Sequence, residues 1–122
     1  MMLHPNPANA YRATNAALPT RLQEADVFRR VTGGLRAAHL LNGGKGGEAG
    51  LRAIRALADN RRLWLAVEGV LLDPTNALPP PLRASIISVG RTVLREMDRD
   101  EPDLAFLIEV NENMAAGLAM TG

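Results

Sequence analysis

From Thr20 onward, apolar positions recur at three- and four-residue steps, the spacing that aligns side chains on one face of an α-helix. Thr20 offers a capping hydroxyl, with Gln23 three residues on, as a capping box requires. Phe28, Val31, Leu35 and Ala38 then form a single stripe, which predicts a first long helix. Gly33 and Gly34 weaken its middle by about 1 kcal/mol each relative to alanine, a tolerable cost if another helix packs closely there. The glycine-rich run from Asn42 to Gly50 ends this helix and reads as a flexible linker, dispensable to the fold. A second helix is predicted over Leu51–Leu72, with Ile54, Leu57, Ala58, Trp64, Leu65, Leu71 and Leu72 as its apolar positions. Arg61 stands beside that stripe, where it either snorkels to the surface or pairs with an acid. Asp73-Pro74 stops the helix, and Pro79-Pro80-Pro81 opens a third, because proline is tolerated in a first turn. Leu82, Ile86, Val89 and Val93 follow at helical steps, with Met97 extending the row. After the charged turn Asp98–Asp103, a last helix carries Leu104, Leu107, Ile108, Met114 or Ala115, and Leu118 on its inner side.

No segment shows the strict alternation of a half-buried strand. The expected fold is all-α: a small bundle of three long helices plus a shorter C-terminal helix, joined by short loops as antiparallel neighbours. Residues 1–19, rich in Pro, Asn and Ala, are expected to be a mobile N-terminal arm, and residues 20–122 a single helical domain. The 122 residues suit one domain with a modest core. Hydrophobic residues make up 47% of the chain but aromatics only 3%, so that core must be aliphatic.

Charge changes the picture little. Residues 1–62 carry +6 and residues 63–122 carry −5, and thirteen of the fourteen cationic residues are arginine. A basic face able to touch RNA or an acidic partner is one reading. Two halves that complement each other within a bundle is the better one, because single-sign blocks are absent. Absence of cysteine excludes disulfides and thiolate-held metal, and suits a reducing compartment. The N-terminus lacks the basic and apolar regions of a signal peptide. No apolar run approaches the roughly 18 residues a membrane span needs. A soluble cytoplasmic protein is expected.

Candidate chemistry is thin. Gly44-Lys45 in the glycine run suggests a phosphate loop, but Gly46 follows instead of Ser or Thr, and His39 stands where the first Walker glycine belongs. Gly44, Gly46 and Ala49 satisfy the dinucleotide pattern, yet they follow a helix and not a strand. His4 and His39 have contexts that do not converge on a metal, and Ser85 and Ser88 lack the signature of an activated nucleophile. Asp98, Asp100 and Glu101 sit in a solvated turn without the spacing of a calcium loop. No catalytic residue, cofactor or metal is expected. Trp64 reads first as a core anchor, and Asn60 and Asn111, beside apolar stripes, as partners of a helix end or loop.

Two blocks carry a resemblance. Asn60-Arg61-Arg62-Leu63-Trp64, Asn76-Ala77-Leu78-Pro79, Leu82-Arg83 and Ile86-Ile87-Ser88 form the first. Leu107-Ile108-Glu109-Val110-Asn111 with Gly117-Leu118 forms the second. In order and spacing they resemble the fingerprint of the bacterial FlaF family of flagellum biosynthesis: Asn-Arg-x-Leu-Trp, Asn-x-Leu-Pro, Leu-Arg and Ile-Ile-Ser, then Leu-Ile-Asp-Ile-Asn and Gly-Leu. Weaker similarity at Ala10-Tyr11, Pro19 and Phe28–Thr32 extends the match over roughly residues 10–118. The chain departs from the family pattern at Val70, Thr92 and Glu112, so no polar contact is carried over to those positions.

The resemblance implies a protein that promotes flagellin synthesis and export as a cytoplasmic flagellin secretion chaperone, opposing the translational repressor FlbT. Flagellin is then the expected partner, with FlbT a second, and a homodimer remains open. A regulator acting on flagellin mRNA, alone or with FlbT, is the alternative. Direct RNA binding is disfavoured by the lack of aromatic stacking residues. Because Trp and Arg are enriched at binding hot spots, the candidate partner-binding residues are Asn60, Arg61, Arg62, Trp64, Arg95, Ile108 and Asn111.

Overall fold

A computed structural model describes residues 25–41 and 47–120, with side chains over 26–41 and 47–117. Four helices occupy them: α1 (Ala25–Leu40), α2 (Gly47–Leu72), α3 (Pro80–Met97) and α4 (Leu104–Met120). Among the described residues there is no strand, so the all-α expectation holds. α4 has 17 residues, and the described part of α1 has 16. The predicted arm at 1–19, the Thr20–Gln23 cap and the core position Leu118 lie outside what is described.

Each helix starts and stops for local reasons. Gly47–Gly50, expected as linker, is the first turn of α2. An acid in a first turn is favoured by the helix dipole, and Glu48 adds an ion pair to Arg52 at 3.6 Å. Gly47 takes φ +55°, a left-handed conformation that costs a side-chain-bearing residue about 1–2 kcal/mol. Gly47→Ala is therefore expected to destabilise by about that amount in urea denaturation. A neutral result would show that the turn into α2 relaxes freely.

The α2–α3 connection is closed by side chains. The Asp73 carboxylate accepts the Thr75 backbone N–H (2.8 Å) and hydroxyl (2.7 Å), and these bonds hold its pKa below the ordinary value. Asn76 donates its amide to the Val70 carbonyl at the end of α2 (3.2 Å) and accepts the Leu78 N–H (2.9 Å). Leu78 is thereby turned into the core. Pro80 and Pro81 then sit in the first turn of α3, where a missing N–H is harmless. At the next corner Asp103 caps α4, accepting the Phe106 N–H at 3.0 Å, while its own N–H is held by Glu96 at 2.8 Å.

Packing is uneven. The broadest contacts of α1 are with α4 and α2; α3 rests chiefly on α2, and α3 and α4 meet only narrowly. The core is aliphatic apart from Phe28 and Trp64, as composition required. Its α2 face is Ala53, Ala56, Asn60, Leu63, Trp64, Val67 and Leu71. That corrects the predicted face. Ile54, Leu65 and Leu72 are exposed, while small alanines and a polar Asn take the inside. Close helix approach explains the exchange, since Ala56 Cβ lies 3.7 Å from where a Cβ on Gly34 would stand. A leucine would not fit that gap. On α3, Val93 and Met97 are buried as expected, but Leu82 and Val89 are exposed.

Candidate functional site

Asn60 and Trp64 are four residues apart on α2, and so share one helix face. Leu107, Ile108 and Asn111 do the same on α4. The two helices do not pack closely against each other, and their long side chains meet across the core. Trp64 Nε1 donates to Asn111 Oδ1 (2.9 Å), Asn111 Nδ2 donates to Asn60 Oδ1 (2.7 Å), and Asn60 Nδ2 donates to Met97 Sδ (3.3 Å). An indole can only donate, so its N–H fixes which way the Asn111 amide faces. Asn111 in turn orients Asn60. The result is a directional chain of hydrogen bonds through the core that ties α2 to α4 and α3.

Trp64, Asn60 and Asn111 are all 0% exposed, so each polar group must find its partner inside the protein. The ring of Trp64 meets Phe28 of α1 edge-on, with centroids 6.0 Å apart and planes at 77°, a favourable aromatic geometry. Gly90 of α3 also lies against the indole. A Cβ there would stand 3.1 Å from Trp64 Cε3, so a larger residue forces the ring to shift. Trp64 therefore touches or bonds all three other helices. Thr32 completes the buried polar set, its hydroxyl donating to the Phe28 carbonyl four residues back.

The seven candidate partner-binding residues thus divide. Asn60, Trp64, Ile108 and Asn111 lie in the interior and are brought together there. Arg61, Arg62 and Arg95 are on or near the surface and are not gathered into one site. Arg61 pairs with Asp98 across the α2–α3 interface, resolving the choice between snorkelling and pairing. Arg62 pairs with Asp59 one turn back at 3.1 Å, and Arg95 donates to the Thr92 hydroxyl at 3.2 Å. Both asparagines bond side chains: Asn60 reaches Met97, the last residue of α3, while Asn111 bonds Asn60 and Trp64 and not the helix end or loop anticipated for it. At the three positions that depart from the family pattern, Val70 is partly buried against the core, Thr92 bonds back to the Ser88 carbonyl, and Glu112 pairs with Arg36 of α1.

Sequence reasoning missed a surface feature. Leu51 (45% exposed), Ile54 (66%), Leu65 (48%) and Leu72 (55%) lie on one outer strip of α2. The signal was present: Leu51, Ala58, Leu65 and Leu72 recur at every seventh residue, a seam spacing. On hydrophobicity alone such a strip reads as core. Met97 extends an apolar row, and nothing in its sequence context marks it as the acceptor for Asn60.

Among the described residues, no group of three or more His, Asp or Glu side chains is placed to hold a metal. No helix there is long and apolar enough to cross a membrane. The glycine-run residues Gly44, Lys45 and Gly46 considered for phosphate lie outside the described residues. Residues 7–118 match the family model described as flagellar protein FlaF. No curated protein and no solved structure matches the chain.

Proposed function

The chain belongs to the FlaF family of flagellar proteins, and from that premise we propose that it promotes flagellin synthesis and export as a cytoplasmic chaperone for flagellin. The carrying observation is the exposed aliphatic strip on α2, beside a core that is already complete without it. The terminal segments of flagellin are amphipathic helices that polymerise in the filament and need cover before export. A helical surface with an exposed apolar row can receive such a segment as a helix laid along it. We read the protein as a binding partner and not an enzyme. The buried polar chain supports the surface and does not itself touch a ligand.

Apolar docking makes a specific thermodynamic prediction. Titration with purified flagellin monomer is expected to show a negative heat-capacity change. It should lose little affinity between about 50 and 200 mM salt, unlike binding that neutralises several phosphates. Flagellin leader RNA, titrated in parallel, is expected not to bind tightly. Tight, steeply salt-dependent RNA binding without flagellin binding would replace the chaperone with an mRNA regulator.

A further inference from the structure

The apolar strip on α2 has two unlike edges. Arg55 and Arg62 follow Leu51 and Ala58 by four residues, which sets them about 40° to one side of the strip. Arg61 and Glu68 follow Ala58 and Leu65 by three, which sets them on the other. The second edge is neutralised within the protein, Arg61 by Asp98 and Glu68 by Arg91 at 3.5 Å. The first edge is neutralised only in part. It borders two shallow depressions between α1 and α2 that share Asp59, one carrying Arg52 and Arg55, the other Arg30 and Arg62. Glu48 and Asp59 pair with Arg52 and Arg62, but among the described residues no carboxylate pairs with Arg30 or Arg55. On α2 the charges of this edge all precede residue 63, and beyond it the edge runs through Ala66 and Gly69.

We propose that this strip, from Leu51 to Leu72, is the docking surface for an amphipathic helix of a partner protein whose carboxylates cluster along one edge and toward one end. The strip is about 30 Å long, enough for a helix of roughly 20 residues. Its apolar row supplies the contact area. Its basic half fixes the direction of the ligand, because a carboxylate laid over Arg55 is attracted, while the reversed helix would leave Arg55 unpaired. The inference rests on the chaperone reading for the identity of the partner, but not for the chemistry of the surface.

The test uses the full chain with three probes: purified flagellin monomer and two synthetic amphipathic helices with the same leucine stripe, one edged with Glu and one with Lys. The Glu-edged peptide is expected to bind on the order of 10-fold tighter than the Lys-edged one. Leu65→Glu should weaken both the Glu-edged peptide and flagellin on the order of 30-fold, as loss of a central contact does. Ile54→Glu provides a second disruption at an exposed position if Leu65→Glu lowers the melting temperature. Arg55→Glu should remove or invert the preference between the peptides, and Leu82→Glu, on α3, should change neither. Undiminished flagellin binding by both strip variants overturns the docking surface and leaves the chaperone reading standing. Binding of the Glu-edged peptide with no binding of flagellin keeps the surface and removes flagellin as its partner. If sedimentation shows the free chain to be a dimer that Leu65→Glu makes monomeric, the occupant is a second copy and the proposal fails.

Discussion

Trp64→Ala is expected to lower the free energy of unfolding by about 3–5 kcal/mol, the cost of removing a large aromatic from a closed core. Three contributions converge on this residue. The ring fills the space between Phe28 and Gly90, so its removal leaves a cavity bounded by two other helices. Its N–H is the head of the buried hydrogen-bond chain, so Asn111 loses the donor that orients it. The residue is fully buried, so water cannot replace either contact. Such a loss is a large share of the roughly 5–15 kcal/mol that stabilises a small domain. Urea denaturation followed by far-ultraviolet circular dichroism measures it, since the substitution removes the chain's single tryptophan. A midpoint close to that of the wild type, with flagellin binding lost, would move Trp64 from the core to an interface.

Asn111→Ala is expected to cost roughly 2–4 kcal/mol, because it orphans two buried groups at once, the Trp64 N–H and the Asn60 carbonyl oxygen. The more discriminating measurement is the double-mutant cycle with Asn60→Ala. Two side chains in direct contact should couple, so the double variant should be less destabilised than the sum of the singles by about 1–2 kcal/mol. Additivity within about 0.5 kcal/mol would show that the asparagines act independently and that the chain is not a unit. Flagellin binding should survive in whatever fraction of Asn111→Ala remains folded, because the residue lies inside the bundle and away from the exposed strip.

These expectations recast the family fingerprint. Asn-Arg-x-Leu-Trp on α2 and Leu-Ile-x-x-Asn on α4 look like recognition sequences when read along the chain, with polar and aromatic residues side by side. Folded, they are two halves of one internal cross-link, closed over 47 and 51 residues of sequence separation. Asn-x-Leu-Pro is likewise architectural: Asn76 holds the end of α2 and Leu78 plugs the core below the turn. The strip proposed as the docking surface is made of plain leucine, isoleucine and arginine.

Much was determined by the sequence alone. Helical periodicity, the two proline-marked corners and the scarcity of aromatics fixed an all-α fold with an aliphatic core, and the ordered blocks fixed the family. On α4 the expected positions Leu104, Leu107, Ile108 and Ala115 are all buried, although Phe106, Val110 and Met114 offer a second apolar row that is only partly so. α2 could not be phased from its pattern alone. It offers two apolar faces on nearly opposite sides, one of large aliphatics at heptad spacing and one of alanines, an asparagine and Trp64. Hydrophobicity favours the first as core. The close approach of α1 at Gly34, and the need of Asn60, Trp64 and Asn111 for one another, select the second. Which face is buried depends on distances between helices and on polar groups far apart in the chain, and only the tertiary structure sets those.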